Sequence, residues 1–381
     1  MKKIYWRPSR VPRVILVVLA FLAIAAMLSV EHIKLKTKQP YYSEKMQAAL
    51  AMKTGMEVIK RYRLKNAMPI DTKVDPASSG LIGLADSPIT SAYGYLPAKQ
   101  TTINPNWAAV MLQMFKRAGV KNGDVVAMGF SGSFPAINLA ALTAADVLKL
   151  KVISITSVSA SNWGANFPNM TWLDMERILH KDGVISQPSV AASLGGQEDL
   201  ALARSQRGRE LLGAAVERNK VRFLKFEDDR ENIDARMALY NELAEGHPIA
   251  AYVNVGGGTI SVGTAVGKRL FNPGLNRKPP PGALKVDGVM SRFARAGVPV
   301  IHMVNIDTLA DRYGLPQKPL IIPHVGEGQL FVKVGYNPYL AGMNLIILTF
   351  VLYIFLRLDI GYRIFGSTRV TQAPKHPEPM V

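Results

Sequence analysis

Two long runs without charged residues lie near the ends of the chain. The first covers Val14 to Val30 and follows a basic N-terminal stretch; the second covers Val334 to Leu356 and precedes further arginines. Since about 20 apolar residues cross a bilayer as a helix, both runs predict membrane-spanning helices. The predicted division is residues 1–13 as a cytoplasmic N-terminus, 14–30 and 339–356 as transmembrane helices, 31–338 as an extracytoplasmic domain and 357–381 as a cytoplasmic tail.

The orientation follows from the basic residues that flank the two runs. Lys and Arg concentrate on the cytoplasmic side of membrane helices, which predicts a two-pass protein of the cell membrane with both termini inside. Lys34, Lys36 and Lys38 follow the first run and oppose this bias. A cleaved signal peptide is an alternative for the first run, because Ala23 and Ala25 match a small-residue cleavage pattern. Under both interpretations the main domain lies outside the cytoplasm.

The main domain begins with a helical pattern and then loses its periodicity. Met46, Leu50, Met56 and Ile59 recur at mostly helical spacing and predict a helix from Ser43 to Arg63. Residues 68–105 are rich in Pro, Ser, Thr and Gly without a period, and predict a long irregular segment. Irregular segments of this length in compact domains are typically functional or mobile.

A βαβ pattern follows the irregular segment. The predicted elements are a helix over 106–118, a strand over 124–128, a helix up to 147 and a strand over 152–156. This alternation predicts neighbouring parallel strands, and hence a Rossmann-like α/β domain with a mostly parallel sheet. Ligands of such sheets bind at the carboxyl ends of the strands.

The second half of the main domain repeats this alternation. Its predicted helices cover 197–219, 233–245, a stretch up to 270, and 286–295, and its predicted strands cover 249–255 and 298–304. The two halves do not align residue by residue, which favours ordinary α/β regularity over an internal duplication.

The stretch Gly129 to Ser133 (GFSGS) offers a candidate nucleophile, Ser131. It approximates the G-x-S-x-G turn that presents a serine between a strand and a helix, with Ser133 in place of the final glycine. A triad would need a histidine and an acid, for which Asp307 with His324, or His302 in another order, are the candidates.

The same stretch, and the glycine-rich loop from Gly256 to Thr259, could instead bind an anion. Open backbone at a helix N-terminus binds phosphate or carboxylate, although neither loop matches a nucleotide-binding signature. A plain glycine turn with a serine cap is the simpler alternative for each loop. Loop residues after four predicted strands make up the candidate binding set: Gly129, Gly132, Ser133, Asn162, Trp163, Gly256, Gly257, Gly258, Thr259, Asn305 and Asp307.

The composition of the chain excludes several kinds of functional site. The chain has no cysteine and a formal net charge of +18. Disulfides, thiolate metal sites and cysteine nucleophiles are therefore excluded, and the six histidines lack the spacing of a metal site. We expect no metal and no cofactor. A basic surface outside the cell favours acidic polymers or lipid head groups over nucleic acid, although a solvated basic face without a partner is also compatible.

Five segments together resemble the poly-γ-glutamate system protein family of bacterial membrane-associated proteins. These are the short basic N-terminus with the first apolar run, PASSGLIGLADSPITS from Pro76, GDVVAMGFSGSFPAINLAAL from Gly123, YVNVGGGTISVG from Tyr252, and the C-terminal apolar run. The resemblance implies a role in making, exporting or anchoring an anionic γ-linked glutamate polymer, as part of capsule biosynthesis at the cell envelope. It implies membrane components of the synthase as partners, and it carries over no catalytic residues.

Three functions remain open at this point. The first is a non-ligase accessory component that binds or guides the polymer, since the chain lacks the P-loop of an ATP-dependent ligase. The second is a serine hydrolase or transferase that trims, releases or attaches the polymer, with Ser131 as nucleophile. The third is a structural scaffold of the synthase complex.

Overall fold

A computed structural model describes residues 13–202, 204–263 and 267–357. The described chain divides into a terminal unit, up to residue 37 and from residue 333, and a central unit over residues 38–332. The helices are α1 (Arg13–His32), α2 (Tyr42–Lys65), α3 (Leu96–Thr102), α4 (Trp107–Ala118), α5 (Pro135–Val147), α6 (Trp172–Lys181), α7 (Gln206–Arg218), α8 (Asp229–Ala244), α9 (Thr259–Val262), α10 (Gly267–Leu270), α11 (Val289–Arg295), α12 (Ile306–Tyr313) and α13 (Pro338–Arg357). The strands are β1 (Lys34–Lys38), β2 (Thr90–Ala92), β3 (Val125–Ser131), β4 (Lys151–Ser157), β5 (Ala160–Ser161), β6 (Ala191–Ser193), β7 (Arg222–Phe223), β8 (Ile249–Val255), β9 (Gly274–Asn276), β10 (Val300–Met303) and β11 (Val332–Tyr336).

In the terminal unit, the two apolar helices α1 and α13 pack against each other. The Asn344 side-chain amide donates to the Ser29 hydroxyl at 2.8 Å and to the Ala26 carbonyl at 3.1 Å. Strands β1 and β11 pair as a two-stranded ribbon. Within the described residues, one helix is long and apolar enough to cross a membrane, over Pro338–Phe355, while the apolar part of α1, Leu16–His32, is shorter.

The central unit is built on a seven-stranded sheet in the order β7-β6-β4-β3-β8-β10-β9. All neighbouring strands are parallel except β9, which is antiparallel to β10 at the edge. The predicted α/β class and the mostly parallel sheet are therefore confirmed, and the strand order is consistent with a Rossmann-like arrangement. From β3 the chain first extends the sheet through β4, β6 and β7, and then returns to the other side of β3 with β8.

Both faces of the sheet are covered, as a strand with apolar residues at successive positions, such as β3, requires. Val126, Met128 and Phe130 of β3 belong to a core with helices α2, α4 and α5. Val125 and Ala127 point to the opposite face, into a second core with α8 and α11. A third, smaller cluster lies between α6, α7 and β6.

The structure corrects several predicted boundaries. The strand predicted over 124–128 continues to Ser131, so the first half of the GFSGS stretch is strand rather than loop. The helix predicted over 197–219 is a single 3₁₀ turn followed by α7, and the helix predicted up to 270 is two short helices, with residues 264–266 outside the described chain.

The segment predicted as irregular contains β2 and α3 and is held in place by buried charges. The Arg63 guanidinium of α2 donates to the carbonyls of Gly80 and Ile82 at 2.9 and 2.8 Å. The Asp75 carboxylate accepts from the backbone N–H groups of Ser79 and Gly80 at 3.0 and 2.9 Å. Since an unpaired buried charge is costly, these bonds fix the path that leads the chain to α3.

Candidate functional site

A cavity of about 530 Å³ lies at the carboxyl ends of β3, β4, β8 and β10. It sits where the chain reverses direction across the sheet, between β3 and β8, which is where open α/β sheets bind ligands. The cavity lining includes these polar or glycine residues: Ser91, Gly94, Lys99, Ser131, Ser133, Ser157, Ser159, Ser161, Gly196, Gln197, Gly256, Gly257, Gly258, Thr259, Lys268, Asn305 and Asp307.

The structure brings together eight of the twelve sequence-predicted site residues at this cavity. Ser131 and Ser133 come from the exit of β3, the run from Gly256 to Thr259 follows β8, and Asn305 and Asp307 follow β10. The convergence results from the parallel strands, whose carboxyl ends meet at one edge although their loops are far apart in the chain.

The other four predicted residues do not line the cavity and have structural contacts. A Cβ on Gly129 would lie 2.3 Å from the Tyr252 hydroxyl, and one on Gly132 would lie 2.6 Å from the Val158 carbonyl. The Asn162 side chain accepts from the Gly94 N–H at 2.7 Å and donates to the Ala85 carbonyl. Trp163 packs against the main core with its backbone at a positive φ of 58°.

Ser131 is placed at the cavity, but neither of the histidines proposed as its partners lines that cavity. The Ser131 hydroxyl accepts from the Ser133 N–H at 3.2 Å. Of the His302 ring nitrogens, Nδ1 lies 2.9 Å from Asn254 Nδ2 and Nε2 lies 3.3 Å from the Lys268 carbonyl. Burial lowers the pKa of His302 to about 4, so it is neutral at pH 7. His324 is exposed and does not line the cavity.

Two lysines, neither of them in the predicted set, reach the cavity. Lys99 of α3 is only 3% exposed, and its ammonium donates to the Ser133 carbonyl and to the Ser161 hydroxyl, the latter at 2.9 Å. It also lies 3.8 Å from the centre of the Phe134 ring. Burial, with a contribution from the nearby positive charge of Lys268, lowers the pKa of Lys99 to about 7.

Lys268 of α10 is exposed and lies over the glycine turn after β8. A Cβ on Gly257 would lie 3.1 Å from Lys268 Nζ, so the absence of a side chain there leaves room for the ammonium group. Gly256 has a positive φ of 88°, and its carbonyl accepts a hydrogen bond from Asn254 Nδ2 at 2.7 Å. This hydrogen bond fixes the conformation of the turn.

A buried ion pair lies next to Ser157, the β4 residue that lines the cavity. The Arg236 guanidinium of α8 donates to the Asp199 carboxylate and to the Ser193 hydroxyl, both at 2.7 Å. Asn232 donates to the same carboxylate at 3.0 Å, and the Ser157 hydroxyl lies 3.4 Å from it. The negative charge of Asp199 is thus compensated by Arg236.

The lysines and most of the serines were missed because the sequence signals were weak. Ser157, Ser159 and Ser161 alternate at the exit of β4, a spacing that could have indicated a polar wall on one face of an extended segment. Lys99 lies in a segment without periodicity, and only the tertiary contacts of α3 direct it into the cavity.

Comparisons with protein-family models, with curated proteins and with solved structures find no match to this chain. The fold and the cavity define an α/β domain with a polar cavity, lined in part by two lysines, at the switch point of its sheet.

Proposed function

We propose that this protein is a membrane-anchored accessory component of poly-γ-glutamate synthesis or export, and that its central unit binds the anionic polymer in the cavity at the switch point. The observation that carries this proposal is the convergence of Lys99 and Lys268 on a cavity that several serine hydroxyls and glycines also line. Carboxylates are the complementary ligands, because ammonium groups and hydroxyls both donate hydrogen bonds to them.

The cavity is large enough for a short segment of an acidic chain. Its volume of about 530 Å³ is in the range of small-molecule sites, enough for a few glutamyl units. A γ-linked chain carries one free α-carboxylate on each residue, so two lysines in one cavity can hold neighbouring units. Asp307, on the α12 side of the cavity, disfavours a ligand that is uniformly negative at that wall.

The membrane part of the proposal rests on the terminal unit. Helix α13 has the length and hydropathy of a membrane span, and α1 packs along it as a second apolar helix. Interhelical hydrogen bonds such as that of Asn344 are typical of helix pairs in lipid. We propose that both helices anchor the protein in the cell membrane with the central unit outside, beside the membrane components of the synthase.

The test is binding of γ-linked polyglutamate to the full chain in detergent, measured by isothermal titration calorimetry at two salt concentrations. Lys268→Gln should weaken binding about tenfold, since one charge-assisted hydrogen bond contributes roughly 1.5 kcal/mol. The matched control is Lys181→Gln, which removes the same charge at the exposed end of α6.

Binding should also weaken with salt, because the contact is between charges. Equal losses for both variants would mean that the basic surface as a whole binds the polymer, and the cavity would then not be the site. Absence of binding by the wild-type chain would remove the proposed function.

A further inference from the structure

Lys99 and Ser161 are the closest pair of a basic and a nucleophilic side chain at the cavity. Lys99 Nζ lies 2.9 Å from Ser161 Oγ, within the range in which a general base accepts a proton from a nucleophile. Both side chains line the cavity, and Ser161 sits in the short strand β5. Its backbone N–H donates to the Ser133 hydroxyl at 3.0 Å, which fixes the position of Ser161 beside the lysine.

The surroundings of Lys99 select Ser161 as the group with which it exchanges a proton. A neutral amine has two N–H bonds and one lone pair. The Ser133 carbonyl accepts a hydrogen bond but has no proton to give, and the face of the Phe134 ring attracts only the positive side of an N–H. The lone pair is then left for the Ser161 hydroxyl, which donates as readily as it accepts.

The protonation state of Lys99 is compatible with this role. With a pKa of about 7, a large fraction of Lys99 is neutral at neutral pH, whereas an ordinary lysine is almost fully charged. The two physical causes, burial and the charge of Lys268, are both features of the folded cavity.

We infer that Ser161 and Lys99 form a nucleophile–base pair that cleaves or transfers amide-linked acyl groups of an acidic substrate in this cavity. Ser161 Oγ forms a bond to the carbonyl carbon while its proton passes to Lys99. The C–N bond then breaks, and Lys99 returns the proton to the departing amine. Water or an acceptor amine attacks the acyl-serine ester, again giving its proton to Lys99, and Ser161 is regenerated as the alcohol.

The substrate class rests on the proposed function. The γ-amide of a glutamyl chain has a free α-carboxylate next to the bond that would be cleaved, and Lys268, which lines the same cavity, is the group that can hold it. This assignment makes Ser161, not Ser131, the nucleophile of the cavity.

The first experiment labels the detergent-solubilised full chain with a fluorophosphonate probe and locates the adduct by mass spectrometry. We expect labelling at Ser161 that rises with pH through about 7, as Lys99 becomes neutral. Ser161→Ala should abolish the adduct, and Ser43→Ala, at the exposed start of α2, should not change it. Lys99→Arg, which keeps the charge but cannot act as a base, should reduce labelling by about a hundredfold or more.

A second variant keeps the test valid if Lys99→Arg fails to fold. Because the chain has no cysteine, Ser161→Cys introduces a unique thiol. The midpoint of its alkylation against pH reports the thiol pKa, which is about 8.5 without a neighbouring amine. We expect a midpoint at least one pH unit below that of Ser43→Cys.

The outcomes separate this inference from the proposed function. If the chain binds polyglutamate but is not labelled, or is labelled at Ser131, the proposed binding function stands and the nucleophile–base pair is refuted. A Ser161→Cys midpoint equal to or above that of Ser43→Cys also overturns it. If Ser161 is labelled but the chain does not bind polyglutamate, the nucleophile–base pair stands and the assigned substrate is refuted.

Discussion

Breaking the ion pair between Arg236 and Asp199 should strongly lower the free energy of unfolding of the central unit. Arg236 makes hydrogen bonds to the Asp199 carboxylate, to Ser193 and, through Nε at 2.9 Å, to Asn232. The charged side chains are only 6% and 5% exposed. Arg236→Met removes the cation and leaves a buried carboxylate without a countercharge, which costs about 3–5 kcal/mol.

Urea unfolding followed by tryptophan fluorescence measures this loss, because Trp107 and Trp172 are fully buried in the central unit. With a slope of about 3 kcal/mol/M, the midpoint should fall by about 1 M or more. Adding Asp199→Asn to Arg236→Met should recover about 1–2 kcal/mol, since an amide needs no cation.

The matched control is Arg222→Met, which breaks the exposed pair between Arg222 and Glu242. Exposed pairs contribute less than about 1 kcal/mol, so this variant should unfold close to the wild-type midpoint. If Arg236→Met shifted the midpoint no more than Arg222→Met, the idea that the carboxylate depends on its cation would be refuted.

Two further predictions concern a close approach and a buried acid. Gly129→Ala should destabilise the central unit by about 1–3 kcal/mol, because its methyl group would meet the Tyr252 hydroxyl. The control Gly213→Ala, in open space on α7, should stabilise the unit by about 0.5–1 kcal/mol. Comparable urea midpoints for the two variants would contradict this prediction. Burial raises the pKa of Glu176 to about 8 from an ordinary value of 4.5, so the folded state holds a proton that the unfolded state has lost between these values. Stability should therefore fall as pH rises from about 5 to 8, and Glu176→Gln should lose most of this fall; the same slope in both proteins would rule out Glu176 as its cause.

The sheet was the most predictable part of the fold. The apolar runs of β3 and β8 are nearly continuous because these strands are buried on both faces, and such runs are visible in the sequence. Strand β7, with its two residues Arg222 and Phe223 exposed, has no such signal. It is a strand only because β6 provides a partner for its backbone.

The candidate site was predicted in part for a related reason. Residues that follow β3, β8 and β10 could be assigned to one edge, because parallel strands align their ends. Lys99 could not, since its position depends on the bonds that Arg63 and Asp75 make with the backbone of the preceding segment. The pKa of Lys99 could not be predicted either, because burial and the charge of Lys268 exist only in the folded chain.

The pairing of β3 with β8 has a consequence for how the protein is made. Val125 lies opposite Ile249, and Gly129 opposite Asn254, so the strands at the centre of the sheet are distant in the chain. Contacts of large sequence separation form slowly, and a growing chain folds from its N-terminal end. While the ribosome is still adding residues before Ile249, the apolar edge of β3 has no neighbour on that side, and the nascent chain is then most exposed to aggregation.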